Sequence, residues 1–186
     1  MISVLAGVGS DTIVDLLKRN MAVVRAMPNS SATIGKSATA ISGGKYANDS
    51  HVETARQLFE TIGMVSVVDE ADLHAVTGLS GSGPAYVYYL VEAMEQAAAE
   101  IGLKQDVAKD LILETIIGAA EMLKSSSKNS SQLRKEVTSP GGTTEAGIKV
   151  LEQYHYQEAM VACIKRATER SNELGDMFHQ HVTNQK

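Results

Sequence analysis

The chain has 186 residues, 44% hydrophobic and 21% charged, a globular balance that permits one domain to one and a half with a sizeable core. A net charge of −5 argues against a binder of the nucleic-acid backbone, and a single cysteine without metal-ligand spacing excludes a disulfide framework and a zinc site. No run approaches the roughly 20 apolar residues of a membrane span, and no basic segment of a signal peptide opens the chain, so a soluble cytoplasmic protein is expected.

Up to residue 68 the elements alternate. MISVLAG is a short apolar strand closed by glycine, and Ser10-Asp11 is expected to cap a helix over TIVDLLKRN. AVVRAMP is a second strand, ended by proline, and SATAISGG a third with a Gly-Gly turn. DSHVETARQLFETIG carries Val52, Ala55, Leu58, Phe59 and Ile62 at helical spacing and ends at Gly63, and MVSVVD is a fourth strand. This alternation predicts a parallel or mixed sheet. Met1 already stands inside a strand-like run, so the chain is expected to open part-way through an α/β domain.

From 69 to 186 the spacing is helical throughout: DEADLHAVTGL, GPAYVYYLVEAMEQAAAEIG, QDVAKDLILETIIGAAEMLKSS, SSQLRKEV, TTEAGIKVLEQ and YQEAMVACIKRATERSNELGDMF. SSSKNSS (125–131) reads as a solvated loop. Cys163, in an apolar helical stripe, is expected as a buried, inert thiol.

Three glycine-rich stretches carry the chemistry. AGVGSDTI (6–13) follows a strand and opens a helix, but Thr12 stands where a dinucleotide fingerprint needs glycine or alanine, and the acidic residue about 20 positions on is missing. It reads as a tight strand-to-helix turn. TGLSGSGPAY (77–86) holds three glycines and three hydroxyls at an expected break between helices, with Pro84 in the next helix's first turn. Its glycines suit close helix packing and its hydroxyls suit a polar ligand. VTSPGGTTEAG (137–147) also has two readings: a helix capped by Thr143 or Thr144, or a carboxylate or phosphate site made by Gly141-Gly142 and the first N–H groups of the helix. His51, His179 and His181 are expected to be exposed or terminal, His155 to sit at a helix corner, and His74 to be a surface or packing residue one turn from Thr77. No Ser–His–Asp constellation can be assembled.

The order MPN (27–29), DEADLHAVTGLSGSGPAYVYYLVEAM (69–94) and VTSPGGTTEAGIKVLE (137–152) strongly resembles pyrroline-5-carboxylate reductases over nearly the whole chain. The resemblance implies the C-terminal part of a Rossmann-like α/β domain (1–68) followed by an all-α helical dimerisation and substrate-binding domain (69–186). The family's glycine-rich fingerprint would lie upstream of MISVLAGV, so most of the dinucleotide site would fall outside this chain. The implied activity is NADPH- or NADH-dependent reduction of 1-pyrroline-5-carboxylate to L-proline. The alternatives are a catalytically inactive dimerisation module and a reductase of another cyclic imine or 2-hydroxy acid derivative. A homodimer is implied, with assembly into larger rings in some members.

Carried over by position, the resemblance places Ala6, Gly7, Met27, Pro28 and Asn29 beside the nicotinamide and pyrroline ring. Ser139, Gly142, Thr143 and Thr144 would receive the substrate carboxylate, and Thr77 would point toward the imine nitrogen with Ser82 nearby. Leu5 stands where many members have a smaller residue, and Ser30 where threonine is common.

Overall fold

Four strands form where β-branched and small apolar residues run together: β1 (Ile2–Ser3), β2 (Val24–Met27), β3 (Ser37–Gly43) and β4 (Gly63–Val67), lying in that spatial order. The computed structural model describes residues 1–184. β1 runs parallel to β2 across α1 (Ser10–Leu17), and β3 parallel to β4 across α2 (Asp49–Glu60). β2 and β3 are antiparallel, with Met27 opposite Ala40, so the sheet is mixed. Asn48 and His51 cap α2 reciprocally, each side chain accepting the other's backbone N–H at 3.1 and 3.2 Å.

Past β4 the described chain is helical. α3 (Leu73–Val76) passes into a π turn (Thr77–Gly81), then α4 (Gly83–Glu100), α5 (Gln105–Ser125), α6 (Ser130–Glu136), α7 (Thr143–Gln153) and α8 (Tyr156–Asn184) follow. The expected break at TGLSGSG is therefore a widened helical turn, in which Ser82 N–H donates to the Thr77 carbonyl, five residues back, at 2.9 Å. The polar tract after α5 is shorter than expected, because Ser125 closes α5 and Ser130 opens α6 under an Asn129–Gln132 capping box.

The chain divides into two compact units: Met1–Ala85 together with the stretch from Val161 onward, and Tyr86–Met160. Compactness thus cuts the chain elsewhere than the change from alternating to helical sequence. The first unit packs α2 on the sheet through Val24, Ala26, Ile41, Ala55 and Phe59, and α1 and Phe178 through Val8, Ile13 and Val23. Ile41 is fully buried and contributes about 2 kcal/mol by the apolar area it removes from water.

α8 meets the rest of this unit along one face, at Ile164, Thr168, Ser171, Gly175 and Phe178. Two glycines let backbones touch there. Gly7, at φ +78°, would place a Cβ 2.5 Å from the Ser171 carbonyl, and Gly78 would place one 2.9 Å from the Ile164 carbonyl and against the Thr168 hydroxyl. Cys163 lies beside this face and is exposed, not buried as its apolar neighbours suggested.

The second unit has a small core of Ala98, Ala108 and Ile112 between α4 and α5. Tyr88, Tyr89, Leu111, Ile117, Met122 and Leu123 on the same helices are exposed. Gly78→Ala is expected to cost about 2 kcal/mol through forced displacement of α8, measured as a lower urea midpoint at unchanged slope.

Candidate active site

The residues implied by the resemblance fall into two groups, one in each compact unit. Ala6, Gly7, Met27, Pro28, Asn29, Thr77 and Ser82 belong to the first unit, and Ser139, Gly142, Thr143 and Thr144 to the second.

In the first group the turn after β1 is set by Gly7, buried and left-handed, with Ala6 exposed beside it. β2 delivers Met27, Pro28 and Asn29, all half-buried, at its end. The π turn lies against them: a Cβ on Gly81 would stand 2.7 Å from the Met27 Cε, and Asn29 Nδ2 donates to the Ser80 carbonyl at 3.1 Å. The β2 end and the hydroxyl-rich turn, 50 residues apart in sequence, are therefore one surface. Thr77 is half-buried and donates its hydroxyl proton to the Leu73 carbonyl at 2.7 Å, which leaves the oxygen's lone pairs to accept.

A charged clasp, not foreseen from the sequence, holds this group. Glu70, just ahead of α3, takes the Ser10 N–H and Ser10 hydroxyl at 2.6 Å each and Arg25 Nη1 at 3.2 Å. Arg25 is 4% exposed on β2, so the pair is largely desolvated on the cationic side. Ser10 therefore does not cap α1 as expected. Gly9 stands at the cap position without a side chain, and Glu70 supplies the missing oxygen from another part of the chain. Burial raises the Glu70 pKa, but the Ser10 side-chain and backbone hydrogen bonds and Arg25 together hold it below the ordinary value of 4.5. The signal available in the sequence was Arg25 itself, a lone cation inside an apolar strand.

His74 is half-buried with Nδ1 3.0 Å from the Ser171 hydroxyl, a packing role. Burial first, and the Arg25 charge second, lower its pKa below 6.5 against the opposing pull of Asp176, the Ser171 bond and Glu70.

The second group is built on the start of α7. Gly141 sits at φ +73°, and Gly142 N–H closes a turn onto the Ser139 carbonyl at 3.0 Å. The cap residue is Gly142, so neither Thr143 nor Thr144 caps the helix. Among the described residues no hydrogen bond engages the hydroxyls of Ser139, Thr143 or Thr144. Glu145 accepts the Gly141 N–H at 2.9 Å and pairs with Lys149. A helix start with free amides and two adjacent hydroxyls suits a carboxylate. The two threonines are exposed.

A family model described as pyrroline-5-carboxylate reductase dimerisation matches residues 70–174. The chain is 49% identical over 178 residues to pyrroline-5-carboxylate reductase 2 of Bacillus subtilis, covering 96% of this chain and 64% of that protein. It is 41% identical over 175 residues to pyrroline-5-carboxylate reductase of a Synechocystis species, covering 94% and 65%. The chain thus spans just under two thirds of these relatives' length. Among solved structures, Plasmodium falciparum pyrroline carboxylate reductase with NADP bound superposes at a TM-score of 0.91 with 29% identity, over 94% of this chain and 71% of that one. The Coxiella burnetii pyrroline-5-carboxylate reductase superposes at 0.86 with 36% identity, over 93% and 64%.

Replacing Glu70 by alanine leaves Arg25 buried and unpaired, which is expected to cost about 3 kcal/mol at pH 7. Because the folded-state pKa of Glu70 is depressed, its contribution is complete above the unfolded value and is lost as pH falls through the folded one. The gap in urea midpoint between the parent chain and Glu70→Ala should therefore stay constant at neutral pH and close only below pH 4.5.

Proposed function

The chain belongs to the pyrroline-5-carboxylate reductase family, and on that premise we propose that its residues serve the NADPH- or NADH-dependent reduction of 1-pyrroline-5-carboxylate to L-proline. The observation that carries this reading is the start of α7, a helix capped only by glycine with the Thr143 and Thr144 hydroxyls free for a carboxylate. The relatives' names supply the reaction, and the NADP of the Plasmodium falciparum structure the cofactor class.

The nicotinamide supplies a hydride to the ring carbon of the C=N bond, whose electron pair moves to a nitrogen that is already protonated. This chain's part is to orient and to bind. Ala6, Gly7, Met27, Pro28 and Asn29 form the wall on the nicotinamide side. The side chains of this set carry no charge, and Gly81 lets Met27 lie against the π turn. Of the residues that the resemblance assigns to a carboxylate, Ser139, Thr143 and Thr144 offer hydroxyl donors, while the Gly142 N–H closes the turn onto Ser139. Thr77, its own proton spent on Leu73, accepts from the protonated imine N–H, with Ser82 beside it. This use of Thr77 favours the cationic, more electrophilic form of the substrate.

In this reading residues 1–68 are the part of the cofactor domain that reaches the nicotinamide, and residues 69–186 bind substrate and self-associate. The exposed tyrosines and leucines of α4 and α5 support a homodimer, the basic member of a ring where rings form. They also favour the second reading, a helical dimerisation module without turnover. Among the described residues no helix is long and apolar enough to cross a membrane.

Cofactor binding and turnover separate the readings, and oligomeric state does not. Sedimentation equilibrium is expected to give a dimer under both. Calorimetric titration of NADPH and NADH into the chain, with proline formation assayed alongside, gives saturable binding and turnover under the first and neither under the second. Where turnover is present, Thr77→Ala is expected to lower kcat by about 10²-fold; an unchanged kcat removes Thr77 from the mechanism.

A further inference from the structure

We propose that Asn29 is a positioning residue whose side-chain amide fixes the π turn that carries Thr77. This inference rests on the reading of Thr77 given above, and its structural half can be tested apart from that reading.

The physical demand originates at Pro84. In a regular helix the Ser80 carbonyl would accept from the N–H four residues on, and that residue is Pro84, which has none. The next N–H, that of Ala85, donates to Ser82 at 3.0 Å. The Ser80 carbonyl is thereby released from the helix in a half-buried place, where an unpaired carbonyl is costly. Asn29 Nδ2 meets it at 3.1 Å from the end of β2.

The other end of the Asn29 amide is also spent. Its Oδ1 accepts the Ser31 N–H at 3.2 Å and caps the short 3₁₀ turn at Ser30–Ile34. Its own N–H donates to the Ser37 hydroxyl at 3.2 Å, and that hydroxyl is within 2.9 Å of the Thr39 hydroxyl in the buried sheet. Asn29 is thus anchored on three sides, and its side chain spans from the sheet to the π turn. Gly81 completes the contact, since it lets the Met27 side chain lie against the same turn. Without Asn29 the Ser80 carbonyl is left unpaired, since Pro84 has no N–H to offer it, and residues 77–81, the turn that carries Thr77, are held less firmly.

The cap and the clasp can be separated by substitution. Asn29→Asp and Asn29→Ser keep an oxygen that caps the 3₁₀ turn, but aspartate has no donor for Ser80 and the serine hydroxyl, one bond shorter than the amide nitrogen, does not reach it. In both variants, hydrogen exchange of the Ser82 amide, which closes the π turn on Thr77, is expected to speed up by about tenfold, the value of one hydrogen bond of ordinary strength. Exchange at Ser31 stays as in the parent chain. In turnover, kcat is expected to fall by about the same factor in both variants, whatever the loss of Asn29 from the nicotinamide wall does to the KM for NADPH. Unchanged Ser82 exchange in both variants overturns the proposal. An unchanged kcat overturns it as well, and leaves Asn29 only its place on the nicotinamide wall. If the parent chain shows no turnover, the reading of the function fails, and Ser82 exchange alone then decides whether Asn29 holds the turn.

Discussion

Glu70 is the point on which the first compact unit depends. One carboxylate closes the start of α1, neutralises a buried arginine on β2 and stands two helical turns ahead of Thr77. Each of those elements would be in deficit without it. α1 has a glycine at its cap and nothing to receive its first N–H groups. β2 carries a guanidinium into the interior, tolerable only with a partner. The helical path toward the π turn has no other ionic tie to the sheet among the described residues. Three weaknesses are met by one group, so the β1–α1 turn, the β2 end and the hydroxyl-rich turn share a common anchor.

Local pattern carried most of the fold. The strands, α2, α5, α7 and α8 follow from apolar spacing and from glycine, proline and asparagine punctuation, and the sheet proved mixed within the range that alternation allowed. The π turn was legible only in part. Glycines and Pro84 announced an interruption, but its form, a wider turn and not a break, depends on the backbone of α8 against Gly78 and on Asn29 reaching Ser80. Both partners are distant in sequence, and spacing within a window holds no trace of them.

The candidate site is assigned through the order of its motifs, not through local chemistry. VTSPGGTTEAG alone is compatible with an ordinary capped helix; the glycine cap and the unoccupied threonine hydroxyls are what set it apart. The role of Ser10 was misjudged for a physical reason. A serine at a helix start ordinarily caps it, but here the hydroxyl is drawn to a carboxylate 60 residues away. Cys163 shows the same limit: the packed face of α8 sets Thr168, Ser171 and Gly175 between Ile164 and Phe178, and hydrophobic periodicity does not count those three.

The α8 face also has a consequence in time. Gly7 and Gly78 lie against residues made roughly ninety positions or more after β4, a delay on the order of 5–20 s at ordinary rates of synthesis. Until α8 arrives, Val8, Ile13 and Val23 lack Phe178, and Gly7 and Gly78 lack the backbone they close on. A growing chain therefore carries these surfaces without their α8 contacts for seconds.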